Sequence, residues 1–177
     1  MANICLTDIA IYGNDTKRLT DLYYYLSRYV GKWEDQLTGY PIEGVCCEGK
    51  IHAIEYSFDG VIYLFLEDHW CPQTQWLDYV LKRYPGYPGI QYVYMAEEPN
   101  GDLFINTDTE HRYFKVKARV HIGFEGDTLD GYVENDAELL PTVCKLLEKE
   151  FDTLEEAEAY ISEHDGWLEI NEFTTAE

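Results

Sequence analysis

The chain has 177 residues, 34 acidic against 13 Lys or Arg side chains, and a formal net charge of −21. Hydrophobic content of 46% with 15% aromatics excludes disorder despite that charge. So negative a total opposes direct contact with nucleic acid, whose binding rests on phosphate neutralisation, and with anionic membranes.

Ile4–Tyr12 alternates and ends at Gly13-Asn14, which predicts a first strand closed by a turn. Asp15 can cap a helix over Thr16–Val30, where Leu19, Leu22, Leu26 and Val30 recur at helical spacing and Gly31 ends the run. Lys32–Gly49 shows little periodicity and reads as a long loop. Ile51–Phe58 and Val61–Leu66 predict a hairpin around Asp59-Gly60, with both central turn residues at positive φ. Gln73–Tyr84 follows as a helix with Trp76, Leu77, Val80, Leu81 and Tyr84 on one face, stopped by Pro85-Gly86 and Pro88-Gly89. Ile90–Ala96 is a strand, and a turn at Pro99-Asn100-Gly101 leads into another over Asp102–Thr107.

The cleanest alternation comes next. Phe114, Val116, Ala118, Val120 and Ile122 point one way; Tyr113, Lys115, Lys117, Arg119 and His121 point the other. That predicts one buried face and one solvated basic face. The basic face either pairs with the acidic tail or belongs to an edge strand whose lysines block aggregation. A phosphate contact with Tyr113 as a stacking platform is disfavoured by the net charge. Asp136–Glu150 then reads as a helix with Pro141 in an early turn. Thr153-Leu154-Glu155-Glu156 is a capping box opening a last helix with Leu154, Ala157 and Ile161 as its apolar stripe. Trp167–Phe173 is the final strand.

The opening order, β-α-β-β-α-β, is that of a ferredoxin-like α+β sandwich, an antiparallel sheet with helices on one face. The expected division is a ferredoxin-like core over 1–125 and an acidic α-α-β extension over 126–177 packed on it. Met1-Ala2-Asn3-Ile4-Cys5 running into Gly13, and Trp70-Cys71-Pro72, Tyr84-Pro85, Glu97-Glu98-Pro99 and Gly101, together resemble the Api92/YubB group of phages, plasmids and conjugative elements. Members of that group favour Trp where Ile4 stands and a second proline where Gln73 stands. The resemblance implies a ferredoxin-like fold and a mobile-element setting. It carries no activity.

Candidate chemistry is sparse. Asn106, Asp108 and Glu110 start like a calcium loop, but His111 replaces the required Gly and Lys117 the bidentate Glu, so a turn bonded by its own side chains is expected. Glu67, Asp68 and His69, with Cys71 close by, could centre a metal-dependent hydrolase, since carboxylates and imidazole can hold an ion that activates water. No nucleophile elbow, phosphate loop, dinucleotide fingerprint or paired-histidine motif occurs, so no cofactor is expected. Cys5, Cys46, Cys47, Cys71 and Cys144 show no CxxC spacing and read as free thiols of a reducing compartment. No secretory signal or membrane-length apolar stretch is read, and the expected location is cytoplasmic.

The last 57 positions hold 17 of the 34 acids against only Lys145 and Lys149. Carboxylates spaced along helices can imitate DNA phosphates and occupy the groove of a DNA-binding protein; the plainer reading is a solvated face that keeps the domain in solution. The expectation is a non-enzymatic accessory protein whose partner is a basic protein. Glu148, Glu150, Glu155, Glu156, Glu158, Glu163 and Asp165 are its contact charges, and exposed Tyr or Trp its anchors. Pairing of two copies through a tyrosine-rich sheet edge is a further reading.

Overall fold

The computed structural model describes residues 4–32, 49–69, 71–72, 74–83, 88–98 and 103–175. The long loop, Cys46, Cys47, Trp70, Gln73, the Tyr84-Pro85-Gly86 stop and the turn at residues 99–102 lie outside the described residues. The chain is α+β and forms two compact units, one ending at Asp108 and one spanning Thr109–Thr175.

In the first unit, β1 (Ile4–Tyr12) is followed by α1 (Thr16–Ser27). The Asp15 side chain accepts the Arg18 amide at 3.1 Å and opens the helix as expected. α1 stops three residues short of Val30: the Tyr29 amide turns back to Leu26 O, and Gly31, at φ 80°, gives its amide to Ile51 O at 2.7 Å. β2 (Gly49–Tyr56) and β3 (Ile62–His69) form the predicted hairpin, but its loop is Ser57–Val61 and only Gly60 has positive φ. Ser57 replaces the tight two-residue turn. Its amide bonds Val61 O at 2.8 Å, and its hydroxyl meets Asp59, Val61 O and the Val61 amide. α2 (Gln75–Arg83), β4 (Gln91–Glu97) and the short β5 (Phe104–Asn106) complete the unit.

The sheet order is β2-β3-β1-β4-β5, with every neighbouring pair antiparallel. Period-two alternation sends Ile9, Ile11, Ile62, Leu64 and Leu66 to one face, where Leu19, Leu22 and Leu26 of α1 and Trp76, Leu77 and Val80 of α2 meet them in one buried cluster. Each such buried side chain contributes roughly 1.5–3 kcal/mol relative to exposure.

The second unit is a three-stranded antiparallel sheet, β7-β6-β8, comprising β6 (Ala118–Phe124), β7 (Asp127–Val133) and β8 (Trp167–Glu172). α3 (Leu139–Leu146) and α4 (Leu154–Glu163) supply Val143, Ala157 and Ile161 to its core, against Ala118, Val120, Ile122 and Val133. Four expectations change here. β6 begins at Ala118, not Tyr113. It is the central strand, so the edge-strand reading of its lysines goes. Its buried face belongs to the second core, which puts the division at 108/109 and not at 125/126. The helix expected over Asp136–Glu150 is a 3-10 turn, Asp136–Glu138, followed by the shorter α3.

β7 has no counterpart among the predicted elements; its register to β6 closes through a two-residue turn, Glu125-Gly126, with Gly126 at φ 87°. Gly123 of β6 has a structural reason: a Cβ there would lie 2.3 Å from the ring of Trp167, its cross-strand partner. Among the described residues, no helix is long and apolar enough to cross a membrane.

Candidate functional site

The Thr153 half of the capping box at the start of α4 forms as the sequence implies, and the return bond from Glu156 goes to Asp152 in place of Thr153. Thr153 Oγ1 accepts the Glu156 amide at 3.2 Å, and the Glu156 carboxylate accepts the Asp152 amide at 3.1 Å. Leu154, Ala157 and Ile161 turn inward, which forces the intervening acids outward. Glu155 and Glu158 flank Ala159 on one side, and Glu156 and Glu163 on the other. Glu148 and Glu150 follow α3, and Asp165 follows α4; both Glu148 (φ 51°) and Asp165 (φ 56°) occupy left-handed positions that end a helix.

All seven side chains are exposed, and among the described residues none takes part in an ion pair. One of the two lysines nearby is committed elsewhere: Lys149 Nζ sits 3.6 Å from the centroid of Tyr160 and 5.5 Å from that of Phe151. Glu148 and Glu150 also line a groove of about 450 Å³ together with Lys145, Lys149, Leu140, Pro141, Cys144 and Phe151. Two carboxylates, the two lysines of the tail and apolar surface share that rim.

The basic strand face has a different fate. Lys117 pairs with Asp136, and Arg119 reaches Asp130 Oδ1 through Nε at 3.0 Å and Nη2 at 2.7 Å. His121 Nδ1 bonds the same oxygen at 2.7 Å while its ring packs 4.7 Å from that of Trp167. Arg119 is 6% exposed, and with Lys117 and His121 it is neutralised by acids from the tail, one of the two arrangements weighed from sequence, while Lys115 stays exposed. Burial pushes the Asp130 carboxyl up, but the hydrogen bonds from His121 and Arg119 outweigh it and leave it below the usual range. This cluster was invisible in sequence because its acidic member lies on β7.

Comparison of the chain with protein-family models, with curated proteins and with solved structures finds no match.

The hydrolase constellation does not assemble. β3 alternates strictly, so Asp68 points to the helix-covered face while Glu67 and His69 point to the other. Asp68 is fully buried and accepts a 2.7 Å hydrogen bond from Thr7, itself fully buried. The Cys5 thiol lies 3.8 Å from Thr7 Oγ1, and burial, reinforced by Asp68, pushes it up to about 12, which keeps it protonated and inert. Among the described residues, no group of three or more His, Cys, Asp or Glu could hold a metal ion. Asn106 and Asp108 are buried, and the Asp108 amide bonds Asn106 Oδ1 at 3.0 Å, the self-bonded turn expected in place of a calcium loop.

Sequence reading also missed Asp8, which lies beside Leu6 on the face away from the helices, with Glu97 diagonally across β4. Burial, then the Glu97 charge, raises the Asp8 carboxyl to about 6.

Proposed function

We propose that the protein is a non-enzymatic accessory protein that binds a basic protein partner through the acidic surface of its second unit. In its sharpest form this surface stands in for DNA phosphates and occupies the groove of a DNA-binding protein. The observation that carries the reading is the outward, ion-pair-free placement of Glu148, Glu150, Glu155, Glu156, Glu158, Glu163 and Asp165, of which Glu148 and Glu150 border a groove with partly apolar walls. A surface kept only for solubility would not need the apolar rim; charge steers the encounter and the groove gives the partner an anchor point.

Two further readings belong with it. The sheet order β2-β3-β1-β4, with both helices contributing to one core cluster, supports a ferredoxin-like assignment for the first unit. That in turn fits the mobile-element setting implied by the Api92/YubB resemblance. Cys5 and Cys144 are free thiols, which supports a reducing, cytoplasmic location.

The test is a tagged pull-down from bacterial lysate with elution by rising salt, run in parallel with duplex DNA as competitor. The reading predicts retention of basic, DNA-handling proteins that both moderate salt and DNA release. Retention that is indifferent to both would overturn it.

A further inference from the structure

The three-stranded sheet has its helices on one face only, and register decides what stands on the other. Gly123 pairs with Trp167, and His121 pairs with Asp130 on one side and Glu169 on the other. Along β8, Leu168 and Ile170 pack on the core, so Trp167 and Glu169 turn to the outer face.

The indole of Trp167 is held flat there. A Cβ at Gly123 would meet its Cε2, Cζ2 and Nε1 at 2.3, 2.5 and 2.6 Å, near-equal distances that lay one ring face across the glycine. The His121 ring packs beside it, with centroids 4.7 Å apart. Trp167 is nonetheless 49% exposed, which leaves its opposite ring face to solvent. An aromatic fixed in this way loses little conformational freedom when a ligand docks on it.

The cations along this face are already matched. Lys117 pairs with Asp136, and Arg119 and His121 share Asp130. Glu169 is different: it is exposed, and its side chain has no ion pair or hydrogen bond among the described residues. Alternate residues of a strand lie about 7 Å apart, so a cation stacked on the open indole face is within reach of the Glu169 carboxylate.

We propose that Trp167 and Glu169 form a clip for an arginine side chain of a partner protein, its guanidinium stacked on the indole and forked onto the carboxylate. An unmatched carboxylate beside the negative face of an aromatic ring calls for a cation. A planar guanidinium satisfies ring and carboxylate together, whereas an ammonium is a point charge that lacks the fork. The clip rests on the reading of a basic protein partner and names the side chain that partner inserts. It lies on the sheet face opposite α3 and α4, apart from their acids.

A peptide alternating arginine and glycine with neutral ends, titrated into the full chain and followed by the Trp167 indole N–H resonance, tests it. The peptide shifts that resonance to saturation, and the same peptide with lysine binds about threefold more weakly or worse. Glu169→Gln, an exposed change that leaves the fold intact, weakens the arginine peptide by about threefold. Trp167→Ala abolishes the accompanying shift of the Glu169 amide, and Trp167→Tyr keeps part of it. A chain with the seven acids Glu148, Glu150, Glu155, Glu156, Glu158, Glu163 and Asp165 neutralised still shows the Trp167 shift. An indole resonance that ignores the peptide overturns the clip, even where the lysate pull-down upholds the basic partner; a saturating shift supports the clip even where that pull-down retains nothing. Equal binding of the arginine and lysine peptides, or a Glu169→Gln chain that binds as the native one does, also overturns it. So does a neutral oligosaccharide that moves the indole resonance in the peptide's place.

Discussion

The two units treat their carboxylates in opposite ways. The first draws Asp68, Glu97, Glu98 and Asp108 below 10% exposure; the second, whose charge excess is nearly the same, has Arg119 as its buried charge among the described residues. A count of acids along the chain therefore misleads if read as a count of available negative surface. Those four acids of the first unit are part of its interior, while Asp15, Asp21, Glu55 and Asp59 lie exposed on it. Those of the second unit stay in water, where a partner can reach them.

The sharpest way to separate the units is to open one core and follow the other. Trp76 is fully buried in the first core, and Trp76→Ala is expected to cost about 3–5 kcal/mol. The low end is favoured, because the indole N–H has no partner among the described residues and its removal returns part of the loss. Amide exchange should accelerate in β1 and β3 by the corresponding factor. Equal acceleration in β6 would show that the two units open as one.

Changing pH moves the units in opposite directions. Asp8, raised to about 6 by burial and then Glu97, holds its proton more tightly folded than unfolded, where the usual value is near 4. Its stabilising contribution is complete below pH 4 and is lost as pH rises through 6. Asp130, lowered by His121 and Arg119 against its burial, contributes stability above its unfolded value and loses it as pH falls through its depressed folded value. Asp8→Asn should therefore stabilise the first unit at pH 7 by about 2 kcal/mol and flatten its pH dependence between 4 and 7. A variant no more stable than the native chain at pH 7 would show that Asp8 is not desolvated.

These two acids also mark where sequence reading stops. β1, α1, β3 and α4 were legible because their apolar positions keep one period throughout, and the Thr153 cap announces itself in four residues. β7 was not, since Asp127-Thr128-Leu129-Asp130-Gly131 has poor strand propensity and is held by pairing with β6; Glu125-Gly126 was the turn signal to follow. Without β7, the partner of Arg119 and His121 could not be named, and the basic strand looked solvated. Glu67, Asp68 and His69 looked like a cluster because adjacency in sequence resembles adjacency in space. On a strand it means opposite faces.

Smaller effects sharpen the picture of the second unit. Thr153→Ala removes the acceptor of the Glu156 amide and should cost about 1 kcal/mol. It leaves the neighbouring carboxylates in place, so partner binding should weaken only as far as α4 frays. A loss of binding with α4 fully helical would instead make Thr153 itself a contact.

Converting Glu148, Glu150, Glu155, Glu156, Glu158, Glu163 and Asp165 to Gln or Asn should change stability least, because like charges are removed from water and the Glu156 cap is kept by Gln. The direct measurement is a comparison of this sevenfold variant with the native chain in the lysate pull-down, at low salt and with duplex DNA as competitor. Native chain that retains basic DNA-handling proteins, beside a folded variant that retains none, is the predicted result. A variant that holds the same proteins as the native chain contradicts the account.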